Sequence, residues 1–325
     1  MLIGYVISES FCVSPFNGIR IQAEMWAREL ERQGHQVTRV NPWEQQNWKG
    51  FDAIHLFGYS TMLSNLSRIP NTNIVFSPII DSDKPVWKYK MASYWGCQRL
   101  RLMSHNYEIR LASKHIKRWS VRTRYEFDYV RKGYGIPEDR ITINPLSYRV
   151  NPPSDYPKKE PFCLHVSKIT DSRKNVGRLV DAAIKYGFKL VLAGSTGTNY
   201  QFSTLKRKID ENDNIIFLGR VSDAQLEDLY RRAKVFCLPS IGEGVGLVAL
   251  EAASFGCDIV VTSIGGPKEY YADMAYVVNP YNVDEIGMAV INALQTLDRQ
   301  PKLMSHIRAT YNLQKCVNNL VAIYQ

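Results

Sequence analysis

The sequence predicts an α/β protein of two doubly wound parallel sheets, and three observations predict it. The chain has 325 residues, enough for two α/β domains of ordinary size. Strand–loop–helix–strand patterns open twice, at residue 2 and at residue 162, on either side of a polar, proline-rich run at 151–160 (NPPSDYPKKE). Finally, in residues 237–251 (CLPSIGEGVGLVALE) a buried strand ends in a glycine-rich loop that opens an apolar helix. These place an N-terminal domain at 1–155, a second at 156–302, and a C-terminal helix at 303–325 that returns to the first.

Composition narrows the class. With 45% hydrophobic and 22% charged residues the chain is a folded globular protein. No apolar run reaches the roughly 18 residues of a spanning helix. The start, MLIGYVISES, lacks the basic lead of a signal peptide and reads as a first core strand. The cysteines at 12, 97, 163, 237, 257 and 316 are scattered without a CxxC pair, as expected of a reduced, cytosolic chain. A net charge of +10 points to an anionic partner: a phosphorylated substrate, an acidic membrane or nucleic acid.

Residues 2–7 form the first strand. Ile19, Ala23, Trp26, Ala27 and Leu30 have helical spacing, and Gly34 ends that helix before a strand at 36–40. Gly18 stands at the helix start. Strands follow at 52–57 and 73–77; His55, inside the first, reads as a satisfied core residue. Asp81 and Asp83 could polarise a substrate hydroxyl, or could equally close an Asx turn before Pro85. From Lys84 to Lys132 thirteen Lys or Arg face only Glu108, Glu126 and Asp128, with aromatics interleaved. That pattern suits either a surface that meets anionic phospholipid or a solvated face over core aromatics. Residues 119–121 read as a strand edge, 125–132 as helix and 141–144 as the last strand of the domain.

The second domain opens with a strand at 162–166, the loop SKITDSRKN and a helix at 176–186. Strands at 189–193 and 215–218 and a helix at 223–233 lead to the central stretch; a strand at 259–262, Gly265-Gly266 and a helix at 283–297 follow. In the central loop free amides meet a helix N-terminus, a ready anion and hydroxyl site. Glu243 lies in the loop. Glu251 lies among Leu247, Val248, Ala249, Leu250, Ala252 and Ala253, where a carboxylate must be paired or must hold a ligand.

The run 214–270 resembles the donor-binding half of the retaining glycosyltransferases of family 4, which have the GT-B fold. LPS at 238–240, EGVGL at 243–247, the Glu243/Glu251 pair, and Gly265-Gly266 with Glu269 carry the resemblance. It implies two Rossmann-like domains facing across a cleft, and transfer of a sugar from a nucleotide diphosphate sugar to an acceptor hydroxyl without a cofactor or metal. It further implies that Glu243, Lys168 and Lys174 are catalytic. Gly18, Val221, Ser240, Gly244, Val245, Gly246, Leu247 and Glu251 would hold the donor. Asp81 and Asp83 fall on the acceptor side, where Pro78 replaces the histidine expected of the family. The acceptor would be a glycan or lipid-linked species, with 84–132 on an anionic membrane and no nucleic acid bound. Two other readings remain: a nucleotide-sugar epimerase of the same fold, and a non-catalytic basic module for membrane or nucleic acid. Neither gives the paired glutamates and lysines as direct a use.

Overall fold

The computed structural model describes residues 1–8, 17–41, 43–81, 84–97, 99–100, 102–197, 199–296 and 299–325. They form two compact units. The first comprises 1–80, 84–147 and 313–325; the second comprises 81–83 and 148–312. The chain therefore changes unit at 147/148, just ahead of the proline-rich run, and again at 312/313.

The first unit is built on β1 (Leu2–Ile7), β2 (Gln36–Arg39), β3 (Ala53–Phe57), β4 (Ile74–Ser77), β7 (Ile116–Val121) and β8 (Ile141–Ile143). They lie in the order β2-β1-β3-β4-β7-β8, and every pair is parallel. Helices on both faces bury such a sheet, so its inner strands are apolar throughout, as in AIHLF of β3. Helix α1 (Gly18–Arg32) starts where the Asn17 side chain accepts from the amides of Ile19 and Arg20; it buries Ala23, Trp26, Ala27 and Leu30. Several elements are absent from the sequence reading, among them α2 (Met62–Leu66) and a hairpin of β5 (Gly96–Cys97) and β6 (Leu102–Met103).

Two expectations change. Residues 119–121 are not an edge: β7 runs from Ile116 to Val121 between β4 and β8, with Trp119 fully buried. The helix expected over 125–132 is α5 (Arg124–Asp128), followed by one π turn, Tyr129–Gly133. The aromatics of the basic segment divide. Tyr107, Trp119, Phe127 and Tyr129 join the core, whereas Trp87, Tyr94 and Trp95 are exposed on or just after α3 (Val86–Tyr94). Between these lies α4 (His105–Ala112).

The second unit repeats the plan with β9 (Glu160–Val166), β10 (Leu190–Ala193), β11 (Ile215–Phe217), β12 (Ala233–Leu238), β13 (Asp258–Thr262) and β14 (Tyr276–Val278). Their order is β11-β10-β9-β12-β13-β14, again all parallel. The helices are α6 (Val176–Tyr186), α7 (Asn199–Asp210), α8 (Asp223–Arg232), α9 (Leu247–Ser254), α10 (Val283–Gln295) and α11 (Lys302–Thr310). Val180, Leu190, Leu192, Val235, Cys237, Val260 and Val290 lie in its core. The last helix, α12 (Leu313–Tyr324), belongs to the first unit.

Helix α12 is tied down by a buried polar chain. The Tyr324 hydroxyl lies 2.8 Å from His55 Nδ1 and 2.9 Å from the Tyr5 hydroxyl; His55 Nε2 lies 2.8 Å from Ser77 Oγ. Burial pushes His55 down to about 3. An unfolded chain protonates this imidazole below its ordinary value near 6.5 and the folded one does not. Its contribution to stability is thus complete above that value and drains away as pH falls toward about 3. Urea unfolding of wild type and His55→Gln should accordingly show a stability difference that shrinks by about 2 kcal/mol between pH 7.5 and pH 5. A difference independent of pH would mean that His55 takes up its proton as readily in the fold as in the unfolded chain.

Candidate functional site

Because all strands of the second sheet are parallel, the loops after them emerge at one edge. The chain first runs outward from β9 to β10 and β11, then crosses back so that β12 pairs with the other side of β9. At such a reversal the two following loops diverge and leave a crevice, the usual ligand position in open α/β sheets. The crevice here is bordered by residues 167–175 after β9 and 239–246 after β12.

These two loops are tied by several bonds. Ile241 N donates to Arg173 O at 2.7 Å. Asn175, in the left-handed region with φ 59°, donates from Nδ2 to Pro239 O at 2.9 Å and Pro280 O at 2.6 Å. Its Oδ1 accepts from Arg178 Nη1 at 2.8 Å. This buried amide fixes the turn that carries Lys174. Lys174 Nζ then reaches Glu243 Oε2 at 2.5 Å, and the buried Ser240 donates its Oγ proton to the same oxygen at 3.2 Å. Both ionic side chains keep some exposure, 22% for Lys174 and 14% for Glu243, so a ligand can reach the pair.

Beneath the pair, His165 Nδ1 lies 2.8 Å from Cys237 O and Nε2 lies 2.7 Å from Ser167 Oγ. A carbonyl oxygen only accepts, so Nδ1 carries the proton and Ser167 donates to Nε2. Burial pushes the imidazole down to about 4, which keeps it neutral below the lysine. The histidine links β9 to the end of β12 and orients Ser167 beside Lys168.

The glycines of the site have steric reasons. Gly265 has φ +84°, and a Cβ there would lie 2.4 Å from the Glu243 carbonyl oxygen. A side chain would displace the backbone that presents Glu243. Gly246, with φ +75°, is the residue from which α9 starts, and a Cβ there would press on Leu238. Gly244, Val245 and Gly246 are buried, and Leu247 is half-buried.

Glu251, in the middle of α9, has no solvent exposure. Its Oε1 accepts from Arg149 Nε at 2.6 Å and its Oε2 from the Tyr230 hydroxyl at 3.0 Å. Burial raises its proton affinity, and the Arg149 charge and the Tyr230 bond oppose that rise. Arg149 and Tyr230 are functional candidates that sequence reasoning missed. Arg149 is 102 positions from its partner, so no local pattern marks it.

The remaining expected residues are more dispersed. Lys168 is exposed on the loop after β9, and its ammonium pairs with no carboxylate among the described residues. Val221 is half-buried on the loop after β11, two strands from β9, beside the Ser222 cap of α8. Gly18 is exposed at the first position of α1 in the first unit. Asp81 is exposed; Asp83 lies outside the described residues. Among the described residues no group of three or more His, Cys, Asp or Glu side chains is arranged to hold a metal ion.

Comparison with known proteins follows the same residues. Residues 151–308 match the family model of glycosyl transferases, group 1. An uncharacterized glycosyltransferase of Methanocaldococcus jannaschii is 30% identical over 184 residues, 50% of this chain and 46% of that protein. The O-antigen chain mannosyltransferase B of Escherichia coli is 28% identical over 186 residues, 50% of this chain and 47% of the relative. The chain thus spans about half the length of these curated relatives. Solved structures agree over the whole chain. Sucrose-phosphate synthase from Thermosynechococcus elongatus superposes with a TM-score of 0.74 at 16% identity, covering 100% of this chain and 98% of that one. HepE of Anabaena, solved in complex with UDP, gives 0.73 at 13% identity with 99% of each chain covered. WaaG, a glycosyltransferase involved in lipopolysaccharide biosynthesis, gives 0.64 at 16% with 100% of each covered. The chain therefore has the GT-B fold, and its residues 151–308 carry the sequence pattern of the group 1 glycosyl transferases.

Proposed function

We propose that the protein is a retaining hexosyltransferase that moves a sugar from a nucleotide diphosphate sugar to an acceptor hydroxyl. The observation that carries this reading is the Lys174–Glu243–Ser240 cluster at the strand reversal, inside the segment that matches the group 1 model. A UDP-sugar is the favoured donor and a GDP-sugar the next. HepE, of the same fold, was solved with UDP.

The chemistry needs cations where the diphosphate leaves. The bond from the sugar carbon to the diphosphate breaks, and negative charge grows on the departing phosphate oxygens. Lys174, fixed by Asn175 and Glu243, and Lys168, free to turn, supply positive charge there without requiring a metal. Glu243 divides its carboxylate between Lys174 and the sugar hydroxyls, and the 244–247 loop backbone lies against the sugar and phosphates. The nucleoside occupies the end of the site near Val221 and Glu251. The acceptor oxygen forms its bond to the sugar carbon on the face the diphosphate leaves, and its proton passes to a departing phosphate oxygen. Asp81 and Asp83 are the candidates for orienting that hydroxyl.

Turnover should fall roughly a hundredfold in Lys174→Ala, the cost of losing one fixed charge-stabilising group. Glu251→Ala should instead weaken donor binding. Steady-state kinetics with the preferred nucleotide sugar separates the two, and unchanged kinetics in both variants would sink the site. Donor choice is read by thermal shift against UDP, GDP, ADP, TDP and CMP. A nucleotide at about 100 times its dissociation constant adds roughly 2.7 kcal/mol. Silence toward all five would remove the transferase reading.

For the acceptor we propose a lipid-linked or surface-polysaccharide glycan, reached at the inner face of a membrane. Two relatives are O-antigen chain mannosyltransferases, from Escherichia coli and Salmonella typhimurium. A second observation concerns α3 and the hairpin after it. Residues 84–107 contain no acidic residue and five Lys or Arg: Lys84, Lys88, Lys90, Arg99 and Arg101. On the same stretch Trp87 and Trp95 are 58% and 77% exposed, and Met91, Tyr94, Leu100, Leu102 and Met103 are exposed with them. Among the described residues no helix is long and apolar enough to cross a membrane. Apolar rings within a cationic rim fit an anionic bilayer surface, where each basic residue adds about 1 kcal/mol. Co-sedimentation with phosphatidylglycerol-containing vesicles, absent with phosphatidylcholine alone and lost in Trp87→Ser/Trp95→Ser, is the expected result. Equal sedimentation of that variant would show that these rings are not the contact.

A further inference from the structure

We infer that Arg149 is a donor-site residue, and that Glu251 acts on the nucleotide through it. The inference rests on the nucleotide-sugar reading above and changes which atoms meet the ligand.

Glu251 offers no surface of its own. It is fully buried, one oxygen takes the Arg149 Nε proton and the other takes the Tyr230 hydroxyl proton. Arg149 is the member of this triad that reaches solvent, with 28% of its side chain exposed. Only its Nε is used. Its two terminal nitrogens have no hydrogen-bond partner among the described residues. A guanidinium held along one edge and open at the other is a prepared fork for phosphate or hydroxyl oxygens.

The position suits a nucleotide. Arg149 also feels the charge of Asp223, the first residue of α8, which follows Val221 and the Ser222 cap. Its bond to Glu251 at 2.6 Å sets the guanidinium against the middle of α9. Tyr230, from the far end of α8, closes the triad from within. A buried ion pair is weak evidence for stability, since apolar residues of similar volume often serve as well or better. Its presence in an otherwise apolar helix is explained if the pair holds a ligand-binding group in place. Glu251 is then a positioning residue, and the ligand is a nucleoside diphosphate that accepts from the free edge of Arg149.

The test is calorimetric titration of UDP, and of GDP in parallel, into the full-length protein. The most informative variant is Arg149→Lys: it keeps a cation for Glu251 but has no second edge to offer. Arg149→Lys and Arg149→Ala should each bind at least tenfold more weakly than wild type. Glu251→Gln should lose a similar factor, and Arg149→Ala/Glu251→Gln should be no weaker than the worse single variant, because both act through one contact. A purely structural pair would lower the melting temperature in Arg149→Ala and leave the affinity of folded Arg149→Lys at the wild-type value; that result overturns the inference. Tighter binding by Arg149→Ala, growing as pH rises and the freed Glu251 ionises, would also overturn it, because Arg149 would then be a cover over a carboxylate that meets the ribose itself. A wild type that binds no nucleoside diphosphate overturns the donor reading, and this inference with it.

Discussion

The pairing of β12 with β9 is the constraint on which the rest of the second unit depends. Six parallel strands could be wound in one direction, but then the loops after successive strands would run side by side. Crossing from β11 back to the free side of β9 makes the loops at 167–175 and 239–246 neighbours without covering one with the other. The polar ties between these two loops follow from that adjacency. His165 spans the two strands, Asn175 holds both the 239 turn and Pro280, and Lys174 reaches Glu243. None of these pairs is close in sequence; the lysine and glutamate are 69 positions apart.

This adjacency also explains how much could be read from the chain. Inner strands of a parallel sheet are apolar on both faces, so AIHLF, AKVFCL and DIVVT announce themselves. Strand β7 was harder because it begins Ile-Lys-Arg. Lys117 is exposed and donates to Gln325 O at 3.2 Å, while Arg118 donates to Asp139 O at 2.7 Å. The charges that hide its first half in the sequence serve its ends in the fold. Helix α3 was illegible for the opposite reason. Its apolar residues follow no helical period, because among its nine residues only Ser93 is buried. Ser93 Oγ bonds to Gly133 O at 2.8 Å, and Arg110 Nε donates to Ser93 O at 2.8 Å. Val86 and Tyr89 meet the core only in part, so periodicity could not sort the exposed Trp87 from the buried Trp119.

The site divides along the same line. Lysine after β9 and the two glutamates around the glycine loop sit in short, ordered motifs, and a motif can be read. Arg149, Tyr230 and Asn175 act through partners brought by topology. A carboxylate inside an apolar helix states that some partner exists, but only the fold names it. The buried glutamate was thus the informative signal, and its two partners were the unreadable part.

The two carboxylates also differ in a way their shared motif conceals. Glu243 keeps 14% exposure, shares its oxygen between a lysine and a serine, and stands where a ligand can compete for it. Glu251 is sealed, and the low-dielectric surroundings that raise its proton affinity also strengthen its hold on Arg149. A sealed carboxylate cannot rearrange cheaply, because breaking its pair would leave a charge uncompensated in the interior. An accessible one can. One glutamate is built to exchange partners and the other to keep them. The α9 helix, which starts at Gly246 just after the first and carries the second in its middle, sets the spacing between a site that changes and an anchor that does not.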